Sequence, residues 1–190
     1  MKMHQPMNKD KAILILKDLK KCLKNTKWFL LCGTLLGAVR EKDFIDKDFD
    51  IDLGILAETI IPLEKEILIR FRKKGFEIPD ITFTIYGVEI DLKRDGININ
   101  IDYHYLKDDK RYRLLGLWVN ARCRLFMDKS FFENLEEGEI RGEKFPIPSN
   151  SEEFLRLCYG DWQTPHLGTG PLSKETYRRK DIKNGVDIII

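Results

Sequence analysis

Long apolar runs are absent from this 190-residue sequence. No stretch approaches the roughly 20 apolar residues that a membrane-spanning helix needs, and residues 1–10 lack the apolar core of a secretory signal. We therefore expect a cytoplasmic protein without a membrane span. Charge of one sign is also scarce, since 33 basic residues face 31 acidic ones, for a formal net charge of +2. This near-neutral charge does not by itself point to any partner. Because the sequence also lacks a basic, aromatic-rich surface, we expect no nucleic-acid partner.

Closely spaced cysteines are absent as well. The four cysteines, Cys22, Cys32, Cys123 and Cys158, show no C-x-x-C spacing. This scatter argues against a zinc site or a disulfide framework and favours reduced thiols inside the protein. What the sequence does contain is a globular composition, in which 43% of the residues are hydrophobic and 34% are charged. A chain of this length fits one domain with its own hydrophobic core.

The spacing of hydrophobic residues predicts a mixture of helices and strands. Apolar residues at helical spacing between positions 8 and 24 predict a first helix capped by Asn8 or Asp10, and Pro62 and Gly75 frame another helix. The remaining predicted elements are a strand at 28–32, a short helix from 33 to 39, a strand at 50–55, a hairpin over 88–105 and a helix at 151–159. This mixture indicates an α+β fold.

A β-hairpin is predicted around Asp95-Gly96, a dipeptide that favours a two-residue turn. Closing the hairpin there pairs apolar residues on one face, namely Leu92 with Ile99, Ile90 with Ile101 and Val88 with Tyr103. The other face pairs Asp91 with Asn100 and Glu89 with Asp102. An aspartate opposite a glutamate is unfavourable unless a cation or a shared proton relieves the repulsion. The alternative is that both carboxylates are simply hydrated.

Aspartates alternate with other residues between positions 46 and 53. The aspartates are Asp46, Asp48, Asp50 and Asp52, and the apolar residues among them are Phe49, Ile51 and Leu53. In an extended strand the aspartates would point to one face and the apolar side chains into the core. Because like charges on one face repel, a cation is expected beside them, and carboxylate oxygens suit Mg²⁺ or Mn²⁺. The plainer alternative is a solvated edge strand.

A phosphate-binding turn is our hypothesis for Gly33-Thr34, where a predicted strand gives way to a helix. Backbone N–H groups and the positive end of the helix dipole can hold a phosphate at such a turn. A plain helix start is the commoner meaning of the same dipeptide, and the dipeptide alone does not choose between the two.

Several short segments together form a sequence signature that is more specific than any one of them alone. They are Gly33-Thr-Leu-Leu-Gly-Ala-Val-Arg40, Phe44-Ile45, Asp48-Phe-Asp50-Ile-Asp52-Leu-Gly-Ile55, Phe145-Pro-Ile-Pro148 and Tyr159-Gly-Asp-Trp162. Their combined spacing resembles the LicD / fukutin-related protein family. Where many members have Pro-Trp before the aspartates, this chain has Asp46-Lys47. The resemblance spans about residues 28–165, so we expect a LicD-like catalytic domain over 1–165 and a C-terminal tail of uncertain structure over 166–190.

The resemblance implies a metal-dependent transferase with the nucleotidyltransferase fold, in which helices flank a mixed β-sheet. The implied reaction moves a phospho-alcohol, such as phosphocholine, ribitol phosphate or glycerol phosphate, from a CDP-linked donor to a hydroxyl of a glycan or lipid-linked glycan, and releases CMP. Such transfers belong to glycan modification in cell-surface polysaccharide biosynthesis. One alternative is transfer of a nucleoside monophosphate from an NTP with release of pyrophosphate. Another is a binding module without catalysis, against which the retained carboxylates argue.

The family resemblance and the local pattern together assign the candidate site residues. Asp50 and Asp52 are the expected main ligands of Mg²⁺ or Mn²⁺ with Asp102 as the third, and the same three aspartates are the expected catalytic residues. Asp102 is also the candidate acceptor of the proton from the attacking hydroxyl. The candidates for substrate binding are Gly33, Thr34, Arg40 and Asp48. Whether Glu89 or His104 contributes to the site is left open.

Overall fold

A computed structural model describes residues 5–84, 87–116, 122–165 and 188–189 of the chain. The helices are α1 Lys9–Cys22, α2 Cys32–Arg40, α3 Ala57–Ile60, α4 Glu64–Lys73, α5 Ser130–Glu133 and α6 Ser151–Tyr159. The strands are β1 Trp28–Leu30, β2 Asp50–Leu56, β3 Glu77–Thr84, β4 Gly87–Arg94, β5 Ile97–Lys107, β6 Lys110–Gly116, β7 Arg122–Asp128, β8 Glu136–Ile140, β9 Glu143–Ile147 and β10 Ile188–Ile189. No helix among the described residues has both the length and the apolar character that crossing a membrane requires.

Eight of the strands form one mixed sheet. Its main path runs β1-β2-β5-β6-β7-β10, and β4 also pairs with β5 and carries β3 on its far side. Strands β2 and β5 run parallel, whereas the other neighbours run antiparallel. Strands β8 and β9 form a separate antiparallel pair. The expected mixed sheet with flanking helices is therefore confirmed.

The centre of the hydrophobic core lies along β2 and β5. Ile51 and Leu53 on β2 and Ile99 and Ile101 on β5 are fully buried, because alternate residues of a strand share one face. Helix α1 adds an apolar stripe at helical spacing. Its buried residues are Ala12, Ile15, Leu16, Leu19 and Cys22. The predicted cap is Asn8, whose Oδ1 accepts a hydrogen bond from the Lys11 N–H at 3.0 Å.

The β4–β5 hairpin has the register that its turn predicts. Leu92 pairs with Ile99, and Glu89 pairs with Asp102. The turn residues Asp95 and Gly96 have positive φ angles of 53° and 83°, as a type I′ turn requires. The turn therefore decides which residues of β5 enter the core and which remain on the polar face of the sheet.

The aspartate segment differs from the predicted strand. Strand β2 begins only at Asp50, and residues 46–49 lie in the irregular segment before it. Phe49 is 43% exposed, so the prediction that it points into the core is wrong. The physical reason is a contact with the N-terminal part of the chain, because the Met7 N–H donates to the Asp48 carbonyl at 2.8 Å. This contact replaces the sheet pairing that an alternating strand would need at that position.

Other predicted boundaries shift by a few residues. The helix predicted to start at Pro62 begins as a 3₁₀-helix over Ile61–Leu63 and continues as α4, while α3 precedes it and was not predicted. The strand predicted over 28–32 ends at Leu30 because α2 already begins at Cys32. Most of the predicted tail, residues 166–187, lies outside the described residues, and the boundary at 165 stays a prediction. Of the described cysteines, Cys22, Cys32 and Cys158 are free thiols.

Candidate active site

A cluster of carboxylates forms where β2 and β5 run side by side. The parallel register pairs Gly54 with Asp102, so Asp50 and Asp52 lie on the same face of the sheet as Asp102. Burial raises the pKa of Asp52 well above its usual value, and the charges of Asp50, Asp48 and Asp102 raise it further. The structure thus places on one face of the sheet the three aspartates that the sequence assigns as metal ligands, and their role as ligands stays a prediction.

Asp48 joins this cluster from the segment before β2. Its Oδ1 accepts a hydrogen bond from the Phe49 N–H at 3.2 Å. Its Oδ2 is buried and has no hydrogen-bond partner among the described residues. Burial, and then the neighbouring charge of Asp50, raise the pKa of Asp48 to about 7. Carboxylates in such an environment favour a bound proton or a nearby cation.

The first turn of α2 lies against the aspartates. A Cβ on Gly33 would lie 2.7 Å from Asp48 Oδ2, so only glycine allows the carboxylate to approach the start of the helix this closely. Thr34 is fully buried, and its Oγ1 accepts a hydrogen bond from the Asp52 N–H at 3.0 Å. Gly33 and Thr34 therefore contact the cluster directly, while their contact with a phosphate stays a prediction.

Arg113 forms an ion pair with Asp102 that the sequence analysis missed. Both side chains are buried, and Nη1 of Arg113 donates to Asp102 Oδ2 and, at 3.3 Å, to the Leu114 carbonyl. Its Nη2 donates to Cys32 Sγ at 3.8 Å. Burial raises the pKa of Asp102 although Arg113 opposes this shift. Burial alone would lower the pKa of Arg113, but the charge of Asp102 raises it above its usual value.

Glu89 on β4 adds a further carboxylate, because it pairs with Asp102, and His104 lies two residues after Asp102 on β5. Burial, and then the charge of Asp102, raise the pKa of Glu89 to about 7. His104 is buried, and burial together with the charges of Arg113 and Arg111 lowers its pKa well below the usual value. Glu89 therefore shares the electrostatics of the carboxylates, whereas His104 is a neutral side chain of the interior.

Arg40 and Asp46 lie apart from the cluster. Arg40 is in the last turn of α2, where its Nη2 donates to Glu41 at 2.7 Å and its Nη1 to the Trp162 carbonyl at 3.1 Å. Asp46 is exposed and forms an ion pair with Lys9 at 2.7 Å. The structure thus separates Asp46 from the other aspartates of the motif, and the substrate contact of Arg40 stays a prediction.

The oxygen atoms of the cluster suit a hard divalent cation. Carboxylates are the protein ligands that Mg²⁺ and Mn²⁺ prefer. Burial, and then the charges of neighbouring aspartates, raise the pKa values of Asp48 and Asp52, and a cation would offset both effects. In the described part of the chain, no three histidine, cysteine, aspartate or glutamate side chains converge on one point. Mg²⁺ commonly takes only one or two carboxylates and completes its shell with water and substrate phosphates. Asp50 and Asp52 are two carboxylates that could serve such an ion, and this role stays a prediction.

A comparison with solved structures defines the class of fold. The crystal structure of ANT(2")-Ia in complex with adenylyl-2"-tobramycin is similar to this chain with a TM-score of 0.54 and 15% sequence identity, over 91% of this chain and 88% of that chain. At this identity the likeness concerns the fold alone. The class is that of the nucleotidyltransferase fold.

The family follows from the sequence. A family model described as LicD/FKTN/FKRP, nucleotidyltransferase domain, matches residues 25–150, and the chain belongs to this family. Ribitol 5-phosphate transferase FKRP of Mus musculus is 26% identical over 139 residues, which make up 70% of this chain and 28% of FKRP. An uncharacterized protein of Rickettsia prowazekii is 39% identical over 66 residues, or 34% of this chain and 24% of that protein. The chain thus spans about a quarter of the length of these relatives.

Proposed function

We propose that this chain transfers a phospho-alcohol from a CDP-linked donor to a hydroxyl of a glycan or lipid-linked glycan and releases CMP. The observation that carries the proposal is the cluster of Asp48, Asp50, Asp52 and Asp102 beside the first turn of α2, in a member of the LicD/FKTN/FKRP family. The alcohol is of the class of choline, ribitol or glycerol. A similar protein, FKRP, is named a ribitol 5-phosphate transferase, which supports this class.

A divalent cation is part of the proposal. Asp50 and Asp52 would hold Mg²⁺ or Mn²⁺, with Asp102 or Asp48 as a further ligand. Bound there, the ion would neutralise charge on the phosphate oxygens of the donor and on the departing CMP. The repulsion among these carboxylates supports the assignment, because a cation relieves it.

The chain's own groups orient the reactants in this scheme. Arg113 holds Oδ2 of Asp102, which fixes the direction of the carboxylate and leaves Oδ1 to accept a hydrogen bond from the attacking hydroxyl. The Asp52 N–H is tied to Thr34 Oγ1, so the start of β2 and the first turn of α2 keep a fixed separation. Such fixed positions lower the entropic cost of bringing donor and acceptor together.

Product analysis tests the proposal. Incubation with CDP-choline, CDP-ribitol or CDP-glycerol, a glycan acceptor and Mg²⁺ should yield CMP, and omission of the metal should prevent it. Asp52→Asn should abolish CMP formation. Asp46→Asn is the matched control, because Asp46 is an aspartate of the same segment that pairs with Lys9 outside the cluster, and it should retain activity.

A second candidate reaction is transfer of a nucleoside monophosphate from an NTP to a small-molecule hydroxyl. The same carboxylates would serve that reaction. The fold likeness to ANT(2")-Ia, whose crystal structure contains an adenylylated tobramycin, keeps this reaction as the second candidate. Steady release of pyrophosphate from an NTP, with no CMP from any CDP-alcohol, would establish nucleotidyl transfer in place of the proposal.

A further inference from the structure

Two adjoining grooves lie on the surface around α6, apart from the carboxylate cluster. One, of about 700 Å³, is bounded by the last turn of α2, the β8–β9 pair and the start of α6, and Ala38 and Ile147 are among its apolar lining residues. The other, of about 590 Å³, follows α6 to the segment after it. Asn150 and Glu152 line both, and we call the two together the α6 groove. Each volume lies in the range of roughly 300–1,000 Å³ that is typical of ligand sites.

Carboxylates dominate the charge of the α6 groove. Among the described residues, its acidic lining residues are Glu136, Glu137, Glu139, Glu152, Glu153 and Asp161. Its basic lining residues in the same part of the chain are Lys42, Lys144 and Arg156. Lys144 already pairs with Glu137 at 3.3 Å, and Arg156 pairs with Glu153 at 2.6 Å. The groove is therefore negative, although the formal net charge of the chain is +2.

Amide and aromatic side chains add to these carboxylates. Asn150 has a left-handed backbone, with φ 50°, and its side chain caps none of the described N–H groups of α6. Gln163 supplies a second amide, and the half-buried Trp162 lies beside it. Amides and carboxylates bind hydroxyl and ammonium groups, and an indole offers an apolar surface next to a polar N–H. A sugar ring presents both hydroxyls and an apolar C–H face, so these side chains suit a glycan.

The negative charge restricts the class of ligand further. Like charges brought together across an interface are strongly unfavourable, so the groove rejects phosphates, anionic glycans and nucleic acids. A basic peptide would satisfy the carboxylates, but it has no row of hydroxyls for Asn150 and Gln163. A glycan that carries amines satisfies both the carboxylates and the amides.

Helix α2 connects this groove to the carboxylate cluster. Ala38 lines the groove, and Gly33 in the first turn lies against Asp48. At 1.5 Å per residue, Ala38 is roughly 8 Å from Gly33 along the helix axis. Arg40 in the last turn donates to the Trp162 carbonyl at 3.1 Å, which holds α2 against the far part of the groove. A glycan of a few units in the groove therefore lies within reach of the cluster.

We propose that the α6 groove binds an amine-bearing glycan. Its ammonium groups pair with Glu139 and Glu152, and its hydroxyls bind Asn150 and Gln163. This glycan is the acceptor of the transferred group, and that assignment rests on the proposed function. The binding site itself stands independently of it.

Calorimetric titration with two matched tetrasaccharides tests the ligand class. The glucosamine tetramer carries free amines, and the N-acetylglucosamine tetramer has the same type of sugar chain without them. The first should bind at least about 10-fold more tightly, because only its ammonium groups pair with the carboxylates. Equal affinities, or no binding of the glucosamine tetramer, would overturn the proposal. A lysine tetrapeptide that binds as tightly as the glucosamine tetramer would identify a basic peptide as the ligand and overturn it too.

Reversal of one charge tests the location. Glu152→Lys, in the part that both grooves share, should weaken binding of the glucosamine tetramer at least about 10-fold. Glu139→Lys on β8 is a second reversal with the same expected effect. Glu133→Lys is the matched control, because it changes the net charge equally on α5, where Glu133 pairs with Lys129 at 3.7 Å outside the groove. This control should bind like the wild type, and equal weakening by all three variants would overturn the site.

Asp52→Asn separates the groove from the reaction. This variant should lose CMP formation and bind the glucosamine tetramer like the wild type, because Asp52 is not among the described lining residues of the groove. If the wild type binds the tetramer but forms no CMP from any CDP-alcohol, the proposed function fails and the groove site stands. If transfer to the tetramer occurs and Glu152→Lys leaves the KM for the tetramer unchanged, the acceptor assignment is overturned while the proposed function stands.

Discussion

Replacing Asp48 by asparagine should stabilise the metal-free protein at and above neutral pH. Burial and the charge of Asp50 raise the pKa of Asp48 from 3.8 to about 7. Because the folded state then binds the proton more tightly than the unfolded state, this carboxyl makes the protein most stable at low pH. That stability is lost as the pH rises from about 4 through about 7. An asparagine carries no charge at any pH and escapes the loss.

The magnitude follows from the pKa. The difference between 3.8 and about 7 corresponds to about 4 kcal/mol at 1.36 kcal/mol per pKa unit. Because Asp50 shares the repulsion and responds to the same substitution, we expect about half of that, ~2 kcal/mol. For a chain of this length each kcal/mol moves Tm by about 2–4 °C. The variant should therefore melt about 4–8 °C above the wild type.

The assay is thermal unfolding in EDTA, followed by circular dichroism, at about pH 8 and about pH 4. The gain of Asp48→Asn should be present at the higher pH and disappear at the lower one. Asp46→Asn is the control, since Asp46 is exposed and its hydrogen bond with Lys9 lowers its pKa; this variant should gain nothing at high pH. The same dependence of Tm on pH in the wild type and in Asp48→Asn would refute the reasoning.

Three further predictions concern activity and the buried ion pair. Asp50→Asn and Asp52→Asn should each abolish transfer while Tm stays at or above that of the wild type, because the buried Ile51 and Leu53 are untouched; retained turnover would remove that aspartate from the mechanism. Chromatography of the products should show CMP and no pyrophosphate, and the reverse would make nucleotidyl transfer the better-supported reaction. Arg113→Met should leave Asp102 buried without its cation and lower the free energy of unfolding by about 3–5 kcal/mol in urea; a loss under about 1 kcal/mol would contradict this account of the pair.

The hairpin was predictable because its information is local. Asp95-Gly96 favours one turn type, and a slip of one residue would move Ile99 and Ile101 from the core into water. The same register places Asp102 on the polar face. The motif beginning at Gly33 was likewise sufficient to predict a short helix, which the structure contains as α2.

The features that the sequence did not predict depend on contacts between distant segments. Arg113 reaches Asp102 only because β6 pairs with β5, and the loop between these strands is Asp108-Asp109, a weaker turn signal than Asp-Gly. The sequence does place two arginines, Arg111 and Arg113, at alternate positions of β6. Without the register between β5 and β6, however, neither could be assigned as the partner of Asp102. The exposure of Phe49 likewise depends on the segment around Asp48 meeting the N-terminal part of the chain, which no local pattern encodes.

Through that N-terminal contact, Met7 and Lys9 help to hold the segment that carries Asp48 in place. The Met7 N–H holds the Asp48 carbonyl at 2.8 Å, and Lys9 binds both Asp46 at 2.7 Å and Asp43 at 3.4 Å. Proteolysis just before residue 10 would keep every aspartate of the cluster and release the backbone that carries Asp48. A loss of activity after such trimming would therefore indicate that the Asp48 carboxylate has moved. A bulky fusion partner joined at this end could lower the activity in the same way, without contacting any reacting group.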